Sequence, residues 1–275
     1  MAEQSSESPK PKPDAEVQSR GLYISRGMTL RLSPGGLKIR IGEDGSLEVV
    51  EGPAFEVSLD THSYWLEIAW LHLVGAQLAH QKLLTVWNAS DEKKKGRALE
   101  AEFAASLQCM VAVAVALDAF YAAVRSHITI PQAMLTSWRE KRTARHAQIA
   151  EVLRRGFRIG PKTNALVRNG LKELFAWRDR SVHPGAEAAR PIAYPELGVG
   201  TEWRLVAYRH ENAQRAMAFG LSLIAQLLAA PKPGLLGIAR YCEGALPQVL
   251  RMVRKWERRY GQLYPREQRK GKKKR

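Results

Sequence analysis

Apolar positions alternate with polar ones early in this chain and recur at three- and four-residue steps from about residue 60 onward. Leu37, Ile39 and Ile41 alternate with Lys38 and Arg40, Gly42-Glu43-Asp44-Gly45 makes a turn, and Leu47 and Val49 resume the alternation. A period of two marks a half-buried strand. Residues 21–57 therefore read as a small β unit, a hairpin to which 22–32 can add a third strand. Residues 1–20 are polar and proline-bearing and read as a disordered tail.

The rest reads helical. Asp60 can cap a helix over about 61–87, and 88–96 is a charged connection. Phe103, Leu107, Met110, Ala114, Leu117, Tyr121 and Val124 then mark a helix over about 97–126. Its other faces carry Val and Ala, so burial on more than one side is expected. Pro131 breaks the pattern. A basic helix is expected over 132–155, ending near Gly156, and Pro161 can start another that runs to about 182. A Pro/Gly-rich loop is expected over 184–201. A helix over 211–228 follows, stopped by Pro231 and Pro233, then a last helix over 235–263 that Pro247 can kink. Short connections between long helices favour an antiparallel bundle. The expected fold is mainly α: a bundle over 58–230, a C-terminal helix over 231–264, a basic tail over 265–275, and the β unit as an N-terminal appendage.

Composition narrows this. The chain has 275 residues, 45% of them apolar, enough to bury a core and to exclude wholesale disorder. Residues 103–124 are apolar enough to raise the question of a membrane span. Gln108 and Asp118 inside the run, with Glu100 and Glu102 beside it, favour a buried central helix and no membrane contact. Cys109 and Cys242 form no CxxC pair and read as reduced core thiols of a cytoplasmic protein. No secretory leader is expected in residues 1–20.

The formal net charge is +16 and is concentrated. Residues 251–275 hold twelve Lys/Arg against two Glu, and residues 139–169 hold nine against two. Two basic blocks on a nearly neutral body point to a polyanionic partner, although a solubilising tail and a solvated helix face account for the same counts.

One six-residue run carries chemistry. Arg178-Asp179-Arg180-Ser181-Val182-His183 ends an amphipathic helix, and Pro184-Gly185 follows at once. Positions five apart on an ideal helix point about 140° apart, so Arg178 and His183 would not share a face on a continuous helix. Pro184 disfavours the α region at His183, which lets the imidazole swing toward Arg178. Asp179 stands four residues before His183 and can fix its tautomer. A cation, a carboxylate and an imidazole at one terminus can hold a phosphodiester and move a proton. The plain alternative is a helix stop, since Arg178, Arg180 and His183 all oppose the negative end of the macrodipole.

This run resembles the active-site signature of the HEPN superfamily: an Arg, a polar residue, three variable residues and a His. Val115-Ala116-Leu117-Asp118-Ala119-Phe120-Tyr121 is similar to the aliphatic, acidic and aromatic segment of an earlier HEPN helix. The resemblance covers about residues 60–230. It implies a metal-independent endoribonuclease without cofactors, working as a homodimer in which two helix ends face one composite cleft. In that scheme His183 takes the ribose 2′-hydroxyl proton and Arg178 from both subunits stabilises the charged transition state. The resemblance also implies a toxin or defence role, with an antitoxin or regulatory protein as a further partner. Some HEPN toxins carry a modifiable tyrosine three residues after the His; here that position is Ala186.

Other candidates have two readings each. Asp118 either orients Arg178 or lines the cleft, or makes a structural hydrogen bond elsewhere. Arg142, Arg145, Arg154, Arg155, Arg158, Lys162, Arg168 and Arg180 either track an RNA backbone or form a solvated face. His62, His72, His80, His127, His146 and His210 make no metal-binding pattern, and His72 and His80, eight apart on one helix, read as packing or surface residues. Trp65, Trp70 and Trp87 read as core or interface. A non-catalytic HEPN-like module that binds nucleic acid or a protein is the alternative function. A basic protein whose affinity resides in its tail is the third.

Overall fold

The longest apolar run forms the longest helix. In the computed structural model, which describes residues 22–25, 28–32, 38–42, 44–51, 55–88, 91–182, 190–231 and 235–263, the chain is mainly helical with small antiparallel sheets. It divides into two compact units, Met1–Leu59 and Asp60–Arg275.

The first unit holds β1 (Leu22–Ser25), β2 (Met28–Leu32), β3 (Lys38–Ile41), β4 (Leu47–Glu51) and β5 (Phe55–Leu59). Strands β1, β2 and β5 form one antiparallel sheet with β2 in the middle, and β3 and β4 form a separate hairpin. The alternation at 37–49 is that hairpin, with Ile41 opposite Leu47. Its turn has Gly45 at φ +80, a left-handed conformation that suits glycine, and the Asp44 carboxylate accepts from Ser46 N at 2.9 Å. Residues 22–32 supply two strands rather than one, and β5 had no alternating signal strong enough to mark it.

The second unit opens with α1 (His62–Trp87) and α2 (Glu92–Arg125). Asp60 caps α1 from just outside it: its Oδ1 accepts from His62 N at 3.3 Å and from His62 Nδ1 at 2.5 Å, while Tyr241 donates to Oδ2 at 2.8 Å. Burial pushes the Asp60 carboxyl up, but these donors and the His62 charge outweigh it and hold the group below the ordinary carboxylate value.

Next come α3 (Gln132–Glu140), α4 (Arg145–Phe157) and α5 (Pro161–Val182), then β6 (Ile192–Tyr194), β7 (Val199–Thr201), α6 (Trp203–Ala207), α7 (His210–Ala229) and α8 (Leu236–Tyr260). The single basic helix expected over 132–155 is two helices. The chain turns at 141–144, where Arg142 has φ 47. Thr143 N donates to Trp138 O at 2.9 Å and the Gln148 amide donates to Thr143 O at 2.8 Å, so the freed backbone groups are satisfied without Gly or Pro. The loop expected over 184–201 contains the β6–β7 hairpin.

Helix α2 contacts α1, α4, α5, α6 and α7. It is long and apolar enough to cross a membrane, yet Cys109, Met110, Val113, Leu117, Phe120, Tyr121 and Val124 lie buried in the core. Close approach is secured by glycine: a Cβ on Gly220 of α7 would lie 2.5 Å from Val113 Cγ1, and one on Gly156 of α4 would lie 2.8 Å from Val124 Cγ1. Both cysteines are free and buried. Burial pushes their thiols up, that of Cys242 to about 11.

One buried carboxylate joins four elements. Glu102 of α2 is 2% exposed. It accepts from His80 Nδ1 of α1 at 3.0 Å, from the Tyr194 hydroxyl of β6 at 2.8 Å, and from His210 N of α7 at 2.8 Å. The His80 and His210 rings stack at 5.7 Å. Removing this acceptor orphans buried donors. Glu102→Ala is expected to lower the unfolding free energy by about 3 kcal/mol in urea titration, and Glu102→Gln by less. A change below about 0.5 kcal/mol for the alanine variant would contradict this role.

Candidate functional site

The last turn of α5 is built on an aromatic platform. The Arg178 guanidinium lies over the Phe175 ring, 4.7 Å from its centroid, and Arg180 lies over Trp177 at 5.5 Å. Phe175 is buried in the core, so the stack fixes where the Arg178 stem leaves the helix. Arg178 then donates through Nε at 3.0 Å and Nη2 at 2.6 Å to one oxygen of Asp179. The turn is closed by Ser181 Oγ, which donates to Arg178 O at 2.6 Å, and by the Tyr208 hydroxyl, which donates to Trp177 O at 2.7 Å. Among the described residues Arg178 Nη1 has no hydrogen-bond partner. His183, with Pro184, Gly185 and Ala186, lies outside the described residues.

A cleft of about 590 Å³ opens between α4 and α5, and its ionisable lining is His146, Arg154, Arg168 and Lys172, with no carboxylate. Periodicity connects it to the motif. From 3.6 residues per turn, Arg168, Lys172 and Asp179 project within about 40° of one another along α5. The Asp179 charge reaches His146. Burial, then the cations of Arg168 and Lys172, hold the His146 imidazole below the ordinary histidine value, and Asp179 opposes them. A neutral imidazole therefore stands among fixed cations at neutral pH, able to accept a proton.

The basic residues divide by what they already hold. Arg145 pairs with Asp118 at 2.6 Å and stacks on Tyr121 at 4.1 Å, so it pins α4 to α2. Asp118 thus takes the structural bond: its partner is Arg145, not Arg178. Arg154 and Arg155 both pair with Glu151, at 2.7 and 2.6 Å, although Arg154 still faces the cleft. Arg142 sits in the turn between α3 and α4. Arg158, at φ 49, ends α4. Arg158, Lys162, Arg168 and Arg180 are exposed. Arg168 and Arg154 are thus the expected RNA contacts that line the cleft, joined by Lys172 and His146, which sequence reasoning passed over. His146 belongs to no motif, and only the pairing of α4 with α5 gives it cationic neighbours. Trp65 and Trp70 pack against the core and Trp87 against a smaller cluster around Leu83, Ala98 and Tyr194. Among the described residues no group of three or more His, Cys, Asp or Glu could hold a metal ion.

By NMR, His146 is expected to titrate below the ordinary histidine value of 6.5. Arg168→Ala or Lys172→Ala should raise its midpoint and Asp179→Asn should lower it. The sign for stability follows: the unfolded chain protonates His146 first, so this group costs stability as pH falls through 6.5. A midpoint above 6.5, or one unmoved by the cation substitutions, would contradict this electrostatic account.

No family model matches the chain, and neither a curated protein nor a solved structure matches it.

Proposed function

We propose that this protein is a HEPN-type endoribonuclease acting as a homodimer. The observation that carries the reading is the α5 terminus: an Arg178 held by Phe175 and Asp179, its Nη1 without a hydrogen-bond partner among the described residues, five residues before His183. Its support is the Arg–Asp–x–x–x–His order in the sequence and the cationic cleft on the same helix.

In this mechanism the scissile phosphate sits against Arg178. His183 removes the proton of the adjacent ribose 2′-hydroxyl. The 2′-oxygen attacks phosphorus, the bond from phosphorus to the 5′-oxygen breaks, and the leaving 5′-oxygen takes a proton from a protonated imidazole or from water. The products are a 2′,3′-cyclic phosphate and a 5′-hydroxyl. Negative charge gathers on the non-bridging oxygens as the phosphorane forms, and preorganised guanidinium groups from two helix ends stabilise that charge more than they stabilise the ground state. Asp179 orients Arg178 and keeps its planar fork aimed. The scheme calls on no metal ion. A toxin or defence role, checked by an antitoxin or other regulator, is the biological setting proposed.

Purified protein is expected to cut single-stranded RNA in EDTA, with His183→Ala and Arg178→Ala each reducing the rate by at least about 100-fold. Asp179→Asn should cut more slowly than wild type but faster than either. Intact RNA after incubation with wild-type dimer, or unimpaired cutting by His183→Ala, would overturn the proposal.

A further inference from the structure

Arg168 and Lys172 stand one turn apart on α5, exposed, and neither has a hydrogen bond or ion pair among the described residues. Other basic residues of these helices do have carboxylate partners: Arg145 pairs with Asp118, Arg154 and Arg155 share Glu151, and Arg178 pairs with Asp179. Two unpaired like charges at this spacing disfavour the free helix, and both press on His146 across the cleft. An anion in the cleft would relieve all three. The same cleft offers an apolar wall of Ile159, Pro161 and Ala165. Asn164 lines it too, with a buried amide oxygen that has no hydrogen-bond partner. Turned toward the cleft, the Asn164 amide oxygen would accept from a hydroxyl donor. Phosphate, a hydroxyl-bearing ring and an apolar face together describe a ribonucleotide, and about 590 Å³ suits one nucleotide unit.

We infer that the α4–α5 cleft is a binding subsite for a phosphate-bearing ribonucleotide, with Arg168 and Lys172 on the phosphate, Asn164 on a ribose hydroxyl, and the Ile159 wall against the sugar or base. Resting on RNA as the partner, the inference makes the cleft a positioning subsite outside the reacting centre. Lys172 stands about 15 Å along α5 from Val182, at 1.5 Å per residue. A strand held here is therefore registered a few nucleotides from the bond that is cut. Arg168 and Lys172 are positioning residues, and they set affinity and register rather than the chemical step.

The test measures binding apart from cleavage. The full chain carrying His183→Ala is titrated into fluorescein-labelled single-stranded RNA and followed by anisotropy at several salt concentrations. AMP serves as a free-nucleotide competitor in a second arm. Adding Arg168→Gln and Lys172→Gln is expected to weaken RNA binding by about 10-fold or more and to reduce the salt slope by about 1–2. A control pair of equal charge loss, Lys93→Gln with Lys94→Gln at the start of α2 and outside the cleft lining, is expected to change affinity less than about twofold. Asn164→Leu should weaken RNA more than DNA of the same sequence. AMP competition that the cleft substitutions abolish shows that the subsite takes a free nucleotide as well as a strand; absence of competition assigns it to strands. Equal weakening by the control pair, or unchanged affinity with intact circular dichroism in the cleft variant, overturns the inference. Because binding is read on a protein without His183, loss of the cleavage proposal and loss of this subsite give different results.

Discussion

Burial of α2 on several faces is the constraint on which the rest of the second unit depends. A helix with Val, Ala and Leu around most of its circumference is stable in water only when neighbours cover it, and each fully buried large aliphatic side chain contributes about 1.5–3 kcal/mol. Here α1, α4, α5 and α7 provide that cover. Because α4 and α5 both press on α2, they also press on each other, and their outward faces form the walls of one cleft. The position of His146 opposite Arg168 and Lys172 is thus a by-product of satisfying an apolar helix. The glycines at 156 and 220 permit this closeness, and Glu102 adds a polar bond among α1, α2, β6 and α7 that tolerates little displacement.

Electrostatics then separates structural from available charge. Arg145 and Asp118 cross-link two helices, and the Glu151 pair steadies the C-terminal half of α4. Arg168 and Lys172, which have no ion pair among the described residues, share one strip of α5 with Asp179.

Much of the fold was legible because packing and periodicity share a cause. The steps of Phe103 to Val124 are the face that the bundle buries, Pro161 begins α5 because it needs no hydrogen-bond partner there, and the alternation at 37–49 is a hairpin. What escaped notice lacked a local signal. The strands Ile192–Tyr194 and Val199–Thr201 are too short for alternation to register, and Tyr194 is held by Glu102, 92 residues away in sequence. The break at 141–144 has no Gly or Pro to announce it. In the site, Arg178 and Asp179 were visible because their chemistry is contiguous in sequence. The attachment of Asp118 to Arg145 and the role of His146 depend on which helices lie side by side, which no six-residue window contains.

The central claim is that the ribose 2′-hydroxyl next to the cut phosphate is the nucleophile. The most direct measurement maps cut sites on a short RNA and then offers the same RNA with a single 2′-deoxynucleotide immediately 5′ of each cut phosphate. The account predicts that cutting stops at the substituted position, continues at the others, and leaves cyclic phosphate ends. Cutting that proceeds at the deoxy position, or that leaves a 3′-hydroxyl, would contradict it.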